Sequence, residues 1–355
     1  MGQMLDHIRG LKTAVAMVVA QVIITGVNVL YKLTADAGVN LMVIVAYRFM
    51  FATVFMVPLA LIVERERPKM TLTIFFQAFL SGLTGASLSQ ILYLESLKFI
   101  SATFVSAMFN LAPAMTFVLA ICFRMENLGL KTMHGKAKVL GTLVGIGGAM
   151  VLAFYKGIQV KIFSTHVHLL HHHQDQAIGH HSSLLGPILS IAACITYSLW
   201  LIIQAKMIET YPCPYTSTAL MSAIGAIQST VYVLCTEKDW SQWKLGWSIK
   251  LLTVAYTGII GSGLLMLISW CTRQRGPLYV STFSPLMLIM VAIAGSLFLE
   301  EKLYLGSILG AVLIVLGLFL VLWGKGKEMR KFKKKTLLIS AVNPLETEPA
   351  DEIIV

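Results

Sequence analysis

Long apolar runs alternate along the chain with short polar clusters, and the runs are apolar on every side instead of along one stripe. Between Thr71 and Leu97 the single acid is Glu95. Roughly 20 mostly apolar residues suffice for a helix to cross a bilayer. The pattern predicts an all-α membrane protein with ten transmembrane helices, over 13–31, 40–63, 74–97, 99–123, 138–155, 186–205, 215–235, 249–270, 277–299 and 304–323. A membrane barrel would instead show segments of about ten alternating residues. The first run is long enough to span and lacks a small-x-small cleavage site, so it reads as an uncleaved anchor.

The two halves of the chain echo each other. Leu140-Gly141, Gly148 and Lys156-Gly157 recur as Leu309-Gly310, Gly317 and Lys325-Gly326, all at an offset of 169. Thr84-Gly85 answers Thr257-Gly258. Val105-Ser106 before Pro113 answers Val280-Ser281 before Pro285, and acids follow both, Glu126 and Glu300-Glu301. The expected organisation is a first five-helix repeat over 1–157, a His-rich external loop over 158–185 and a second repeat over 186–326. A basic and then disordered cytosolic tail covers 327–355. Because five is odd, the second copy enters from the opposite face. The repeats are then inverted, as in secondary transporters whose substrate site lies at the repeat interface. Gly141, Gly145, Gly148, Gly306, Gly310 and Gly317 predict close packing of the fifth and tenth helices, a homodimer contact being the alternative.

Composition sharpens this picture. Hydrophobic residues make up 57% of the 355 and charged residues 13%, about half the share of a soluble domain. The net charge of +11 follows the positive-inside rule and does not indicate nucleic acid. With the N-terminus in the cytosol, 19 of the 28 basic residues fall inside and 8 outside, leaving Arg48 within a span. Both termini are therefore expected in the cytosol. Cys122, Cys194, Cys213, Cys235 and Cys271 form no disulfide framework or metal pair by spacing. Seven histidines (His166, His168, His171, His172, His173, His180 and His181) crowd the external loop and read as a solvated low-complexity stretch. No metal or cofactor is expected.

The run Tyr93-Leu-Glu-Ser-Leu-Lys98-Phe-Ile-Ser-Ala-Thr103-Phe-Val-Ser-Ala-Met-Phe-Asn110-Leu-Ala-Pro113-Ala-Met-Thr116-Phe resembles the fourth-helix signature of plant nodulin-type transporters. So do Glu301-Lys-Leu-Tyr304-Leu-Gly306-Ser and Val321-Leu-Trp323-Gly324-Lys325-Gly326-Lys-Glu328. These are the UMAMIT or Walls-Are-Thin-related proteins, in the EamA division of the drug/metabolite transporter superfamily. The likeness covers about residues 10 to 328. It implies a ten-helix, inverted-repeat carrier of a plant membrane, moving amino acids, often in both directions, or auxin. Glu95 departs from the family pattern, which is neutral there.

The residues themselves nominate a site. Arg48 is costly within a span, about 2.5–3.5 kcal/mol at a helix centre, and Glu95 is the acid placed to meet it. The sequence predicts an Arg48–Glu95 ion pair or a gating role for the two. Pro113 and Pro285 free a backbone carbonyl one turn earlier, and inside a membrane that carbonyl needs a partner. With Asn110, Thr116, Thr282 and Ser284 they form duplicated helix breaks. Gln21, Asn28, Gln90 and Gln204 bind zwitterions without fixing a charge. Tyr93, Tyr197 and Trp200 offer faces to rings, alkyl chains or cations. The basic run from Lys325 to Lys335 suits anionic headgroups.

The leading function is a secondary amino-acid carrier in the plasma membrane, working by alternating access and facilitated diffusion. A proton-coupled carrier of auxin or another small organic acid is the runner-up. A nucleotide-sugar carrier would need several cations in its cavity. An intramembrane enzyme would need a catalytic constellation, and the spans hold no His, no His-Glu-x-x-His and no paired Asp. No Gly-x4-Gly-Lys-Ser/Thr loop is present, which argues against ATP drive.

Overall fold

The computed structural model describes residues 2–97, 99, 105, 108–109, 111–125, 132–155, 184–245, 248–287, 289–290 and 305–342. The described residues are helices and connecting turns, with no strand among them. The helices are α1 (Gly2–Asp36), α2 (Leu41–Val63), α3 (Leu72–Ser96), α4 (Ala112–Cys122) and α5 (Met133–Phe154). They continue as α6 (Leu185–Thr210), α7 (Pro214–Thr236), α8 (Ile249–Arg275), α9 (Pro277–Thr282) and α10 (Leu305–Val342). A short 3₁₀ turn, Trp240–Trp243, joins α7 to α8.

Seven of these helices, α1, α2, α3, α6, α7, α8 and α10, are long and apolar enough to cross a membrane. α5, with 22 residues, has the length for a crossing too. α4 is apolar but shorter, and the predicted fourth and ninth spans run on into residues outside the description. α10 does not stop near 323 but carries the basic run to Val342 as helix. Lys, Glu, Met and Arg are good helix formers, so the lone glycines Gly324 and Gly326 do not end it.

The turns follow from local chemistry. Asn40, Thr71 and Thr132 cap α2, α3 and α5 by accepting the N–H of Met42, Ile74 and Gly135. Between α8 and α9 the chain reverses at Gly276, whose φ of 87° favours a residue without Cβ. Pro277 then opens α9 at a position where its missing N–H is not needed.

Helix pairing follows the two-fold logic of inverted repeats. α2 lies along α7, and α5 along α10. α3 lies along α6, and its counterpart α8 along α1. Each pair is antiparallel. Asn40 at the start of α2 meets Glu237 just beyond the end of α7, and Glu64 just beyond the end of α2 meets Thr216 at the start of α7. Thr34 on α1 bonds Thr253 on α8, and Ser81 on α3 bonds Gln204 on α6.

Glycine sets the closest of these approaches. A Cβ on Gly317 of α10 would stand 2.5 Å from the backbone N of Gly145 and 2.6 Å from the carbonyl of Gly141. One on Gly148 would stand 2.7 Å from the N of Ile314. The glycine faces named from the sequence thus meet each other within one chain.

Helices α3 and α8 each contain a π-helical stretch, Gly82–Leu88 and Tyr256–Ile260. The Thr84 and Thr257 hydroxyls, at matched positions, donate to the carbonyls of Leu80 and Thr253, at 2.8 Å and 2.7 Å. Irregular turns free backbone carbonyls, and a hydroxyl four residues on takes them up where water is absent.

Substituting Gly317→Val is expected to overpack the α5–α10 contact and cost about 1–3 kcal/mol. Gly326→Ala, which meets nothing within 4 Å, is expected to be near neutral. Thermal unfolding of the two variants in detergent checks the contrast.

Candidate functional site

The predicted site residues fall into three groups once placed in the bundle. The first is a chain of contacts running from α2 across α1 to the residues after α9 and on to α6. Arg48 Nη1 donates to the Tyr31 hydroxyl at 3.2 Å. One turn earlier on α1, Asn28 Nδ2 donates to Met287 Sδ at 3.2 Å. One turn before Met287, Ser284 faces the Tyr197 hydroxyl. Tyr197 stacks at a tilt on Phe109 (5.4 Å) and Trp200 (5.6 Å), and Phe109 meets Tyr93 edge-on at 5.6 Å. Asn28, Tyr93, Tyr197 and Ser284 are only half-buried.

The second group surrounds a cleft between α4, α5, the α9 segment and α10. Pro113, Thr282 and Pro285 line it with Thr142, Gly145 and Leu318. The duplicated prolines therefore face one space. Thr282 turns its hydroxyl back to the Leu278 carbonyl at 2.6 Å, and Thr116, fully buried, donates to Ser198 at 3.1 Å. Asn110 lies outside the described residues.

The third group is structural. Gln204 is fully buried, accepts from Ser81 at 3.0 Å and donates to Ser269 at 2.7 Å, so it ties α3, α6 and α8 together. Trp200 covers Gly85 in the π stretch of α3 and points Nε1 at Met221 Sδ, 3.3 Å away. Gln90 is half-buried on α3. Gln21, 3% exposed, keeps a buried amide oxygen without a partner.

Arg48 and Glu95 do not form an ion pair in this structure. Glu95 instead accepts from the Tyr232 hydroxyl of α7 at 3.1 Å. Register explains the separation. Phe49, next to Arg48, packs beside Gly225, and Tyr232 lies seven residues, about 10 Å, further along α7.

Sequence reading also missed two carboxylates that join the halves. Glu64, just after α2, accepts the backbone N–H groups of Tyr215 (3.0 Å) and Thr216 (2.8 Å) and the Thr216 hydroxyl (2.6 Å). It thus caps the N-terminus of α7, where the helix dipole favours an anion. Glu237, just after α7, accepts from Asn40 Nδ2 at 2.5 Å, at the start of α2. Glu64 and Glu237 are separated by 173 residues, as are Thr84 and Thr257. Each half sends a carboxylate to the other half's second helix, one clasp at each end of the bundle. Around Glu237, Gln242 also accepts the Asn40 N–H, and the Tyr47 hydroxyl donates to the Trp243 carbonyl at 2.6 Å.

Two other buried cations among the described residues are spoken for. Lys138 is fully buried and bonds Glu328 at 2.8 Å where α5 meets α10. Lys250 donates to the carbonyls of Gln242 and Lys244. Among the described residues no cluster of three or more His, Cys, Asp or Glu could hold a metal ion.

Comparison with known proteins agrees with this geometry. The model of the EamA-like transporter family matches residues 11–154 and 184–323, one match in each half. Two WAT1-related proteins of Arabidopsis thaliana are 46% and 44% identical, each alignment covering 90% of this chain and 91% of the relative. A further WAT1-related protein of the same plant is 38% identical over 95% of this chain and 92% of its own length. One crystal structure of a protein aligns with a TM-score of 0.65 at 14% identity, over 87% of this chain and 97% of the other. At that identity the likeness is one of fold.

Removing the Glu64 clasp has a local reporter. Burial, and after it the Glu64 carboxylate, push the Cys213 thiol above its ordinary pKa, and the residue is 6% exposed. Glu64→Ala is expected to cost about 1–3 kcal/mol, the scale of leaving buried donors without a partner, and to lower that pKa. Maleimide labelling of Cys213 near pH 8 should therefore quicken several-fold over the parent protein.

Proposed function

The chain belongs to the EamA-like transporter family, is a multi-pass membrane transporter and not an enzyme, and from that premise we propose that it carries amino acids by facilitated diffusion. The observation that carries this reading is the run from Arg48 through Asn28 and Ser284 to the aromatic group at Tyr197. It combines neutral amide and hydroxyl groups, one cation and ring faces. Such a surface suits a small zwitterion with an apolar side chain. A phosphorylated cargo would call for several free cations, because phosphate carries up to two negative charges and three acceptor oxygens; Lys138 already has an acid and Lys250 two carbonyls.

In this reading the first repeat, 1–157, and the second, 186–326, rock about the α2–α7 and α5–α10 contacts. The Glu64 and Glu237 clasps open in turn, so that the site meets one side of the membrane at a time. Substrate selects among states already populated. Glu95, held by Tyr232, has no assigned proton-carrying task, so transport runs down the substrate gradient in either direction. The four aromatic residues Tyr93, Phe109, Tyr197 and Trp200 favour a second cargo, a ring-bearing organic acid such as auxin. We place both termini in the cytosol on the strength of the basic-residue distribution, and the protein in the plasma membrane.

Uptake of a labelled amino-acid panel into proteoliposomes, with and without a pH gradient, tests the proposal. Saturable uptake indifferent to the gradient and reduced at least tenfold by Tyr197→Ala is expected. Uptake that tracks the proton gradient would refute facilitated diffusion, and no amino-acid flux under any condition would refute the substrate class. Orientation has its own check. In intact cells an impermeant maleimide is expected to label Cys235, exposed near the end of α7, and to reach Cys122, exposed at the end of α4, only after permeabilisation.

A further inference from the structure

We propose that Arg48 receives the carboxylate of the transported molecule, binding it side-on through Nε and Nη2. The proposal rests on the carrier reading above and names the chemical group that the site selects.

Arg48 stands seven residues after the first residue of α2 and is 9% exposed. A guanidinium stays charged at any physiological pH and has five N–H donors and no acceptor. Within a span such a group normally pairs with an acid or faces a water-filled pathway. Here one donor is used, by Tyr31, and the Phe49 ring lies 5.3 Å from Cζ. Among the described residues no carboxylate pairs with it, and Glu95, the acid on which the sequence placed that task, is engaged by Tyr232.

The unused edge has a built setting. Nε and Nη2 point at Gly261 on α8, and a Cβ there would stand 3.6 Å and 3.7 Å from them. Gly261 follows the π stretch Tyr256–Ile260. One turn earlier, Gly258 lets the α2 backbone come close: a Cβ on it would stand 3.0 Å from the Arg48 carbonyl. Gly258 therefore brings α2 up to α8, and at Gly261 no side chain stands between α8 and the guanidinium. The Nε–Nη2 edge offers two parallel N–H groups, the fork that matches a carboxylate.

Asn28, one turn from Tyr31, adds a second distinction. Its Nδ2 is held by Met287, which leaves Oδ1 as the acceptor for an ammonium group. An α-amino acid would engage Arg48 and Asn28 together. A plain organic acid would engage Arg48 alone.

The test compares L-phenylalanine with L-phenylalaninamide, and phenylacetate with phenylacetamide, on the full-length protein. Two readouts are used, uptake into proteoliposomes and ligand-induced thermal stabilisation of purified protein. The parent protein is expected to take up and be stabilised by one or both acids, and to respond at least tenfold less to the matching amides. Arg48→Gln should remove that discrimination, and Arg48→Lys, which keeps the charge but not the fork, should restore it only in part. Gly261→Val, which leaves Arg48 in place and sets a side chain against its Nε–Nη2 edge, should raise KM about tenfold. If both Arg48 variants fail to fold, Gly261→Val alone decides.

Acid uptake with parental KM in Arg48→Gln and Gly261→Val would overturn the proposal and leave the carrier reading standing. Arg48-dependent stabilisation by acids without flux would do the reverse. Equal response to acids and amides, or to neither, overturns it as well.

Discussion

Hydrocarbon offers no hydrogen-bond partner, so each polar group inside this bundle needs one from another helix, from its own backbone or from cargo. That constraint organises the structure. Thr84 and Thr257 turn back onto their own helices where the π stretches loosen the backbone. Gln204 reaches two serines on two neighbouring helices, and the buried Lys138 finds Glu328. Against this background the groups left over stand out. Gln21 keeps a buried oxygen unpartnered, and Arg48 keeps one edge of its guanidinium unused beside Gly261.

Much of the architecture was legible in the sequence because lipid leaves few options. An apolar run of spanning length must be a helix or part of a closed barrel, and period and length tell the two apart. The repeat was legible because glycine and proline mark backbone constraints that survive when side chains drift. Gly141, Gly148 and Gly317 were expected to pack the fifth helix on the tenth, and their Cα atoms leave no room for a side chain between α5 and α10. What the apolar pattern did not show was where α10 ends, since the basic residues that leave the membrane are also good helix formers.

The site was legible in its residue types but less so in its partners. Tyr93, Tyr197 and Trp200 were named individually, whereas Phe109, which joins Tyr93 to Tyr197, looks in the sequence like any other apolar residue of a span. The Arg48–Glu95 pair seemed natural because a snorkelling arginine could reach the depth of the acid. Depth along two helices says nothing of azimuth or of register against a third, and α7 carries Tyr232 to Glu95 instead. Glu64 and Glu237 look in the sequence like any other acids at the end of a span. Their separation of 173 residues, shared with Thr84 and Thr257, was the available signal.

Those two clasps are alike in position but not in strength. All three bonds at Glu64 end on a carboxylate, while around Glu237 one does and two others end on neutral oxygens. Bonds to charged groups contribute about 1.5–3 kcal/mol and neutral ones about 0.5–1.5, and each 1.4 kcal/mol is a tenfold population ratio. If the halves rock as proposed above, a difference in hold between the two ends sets which side the empty carrier mostly faces. Such a lean leaves the final distribution of cargo untouched, because a catalyst of equilibration cannot move the equilibrium. It makes the approach to balance lopsided in time: loading from the waiting side begins at once, and loading from the other begins with a rare reversal.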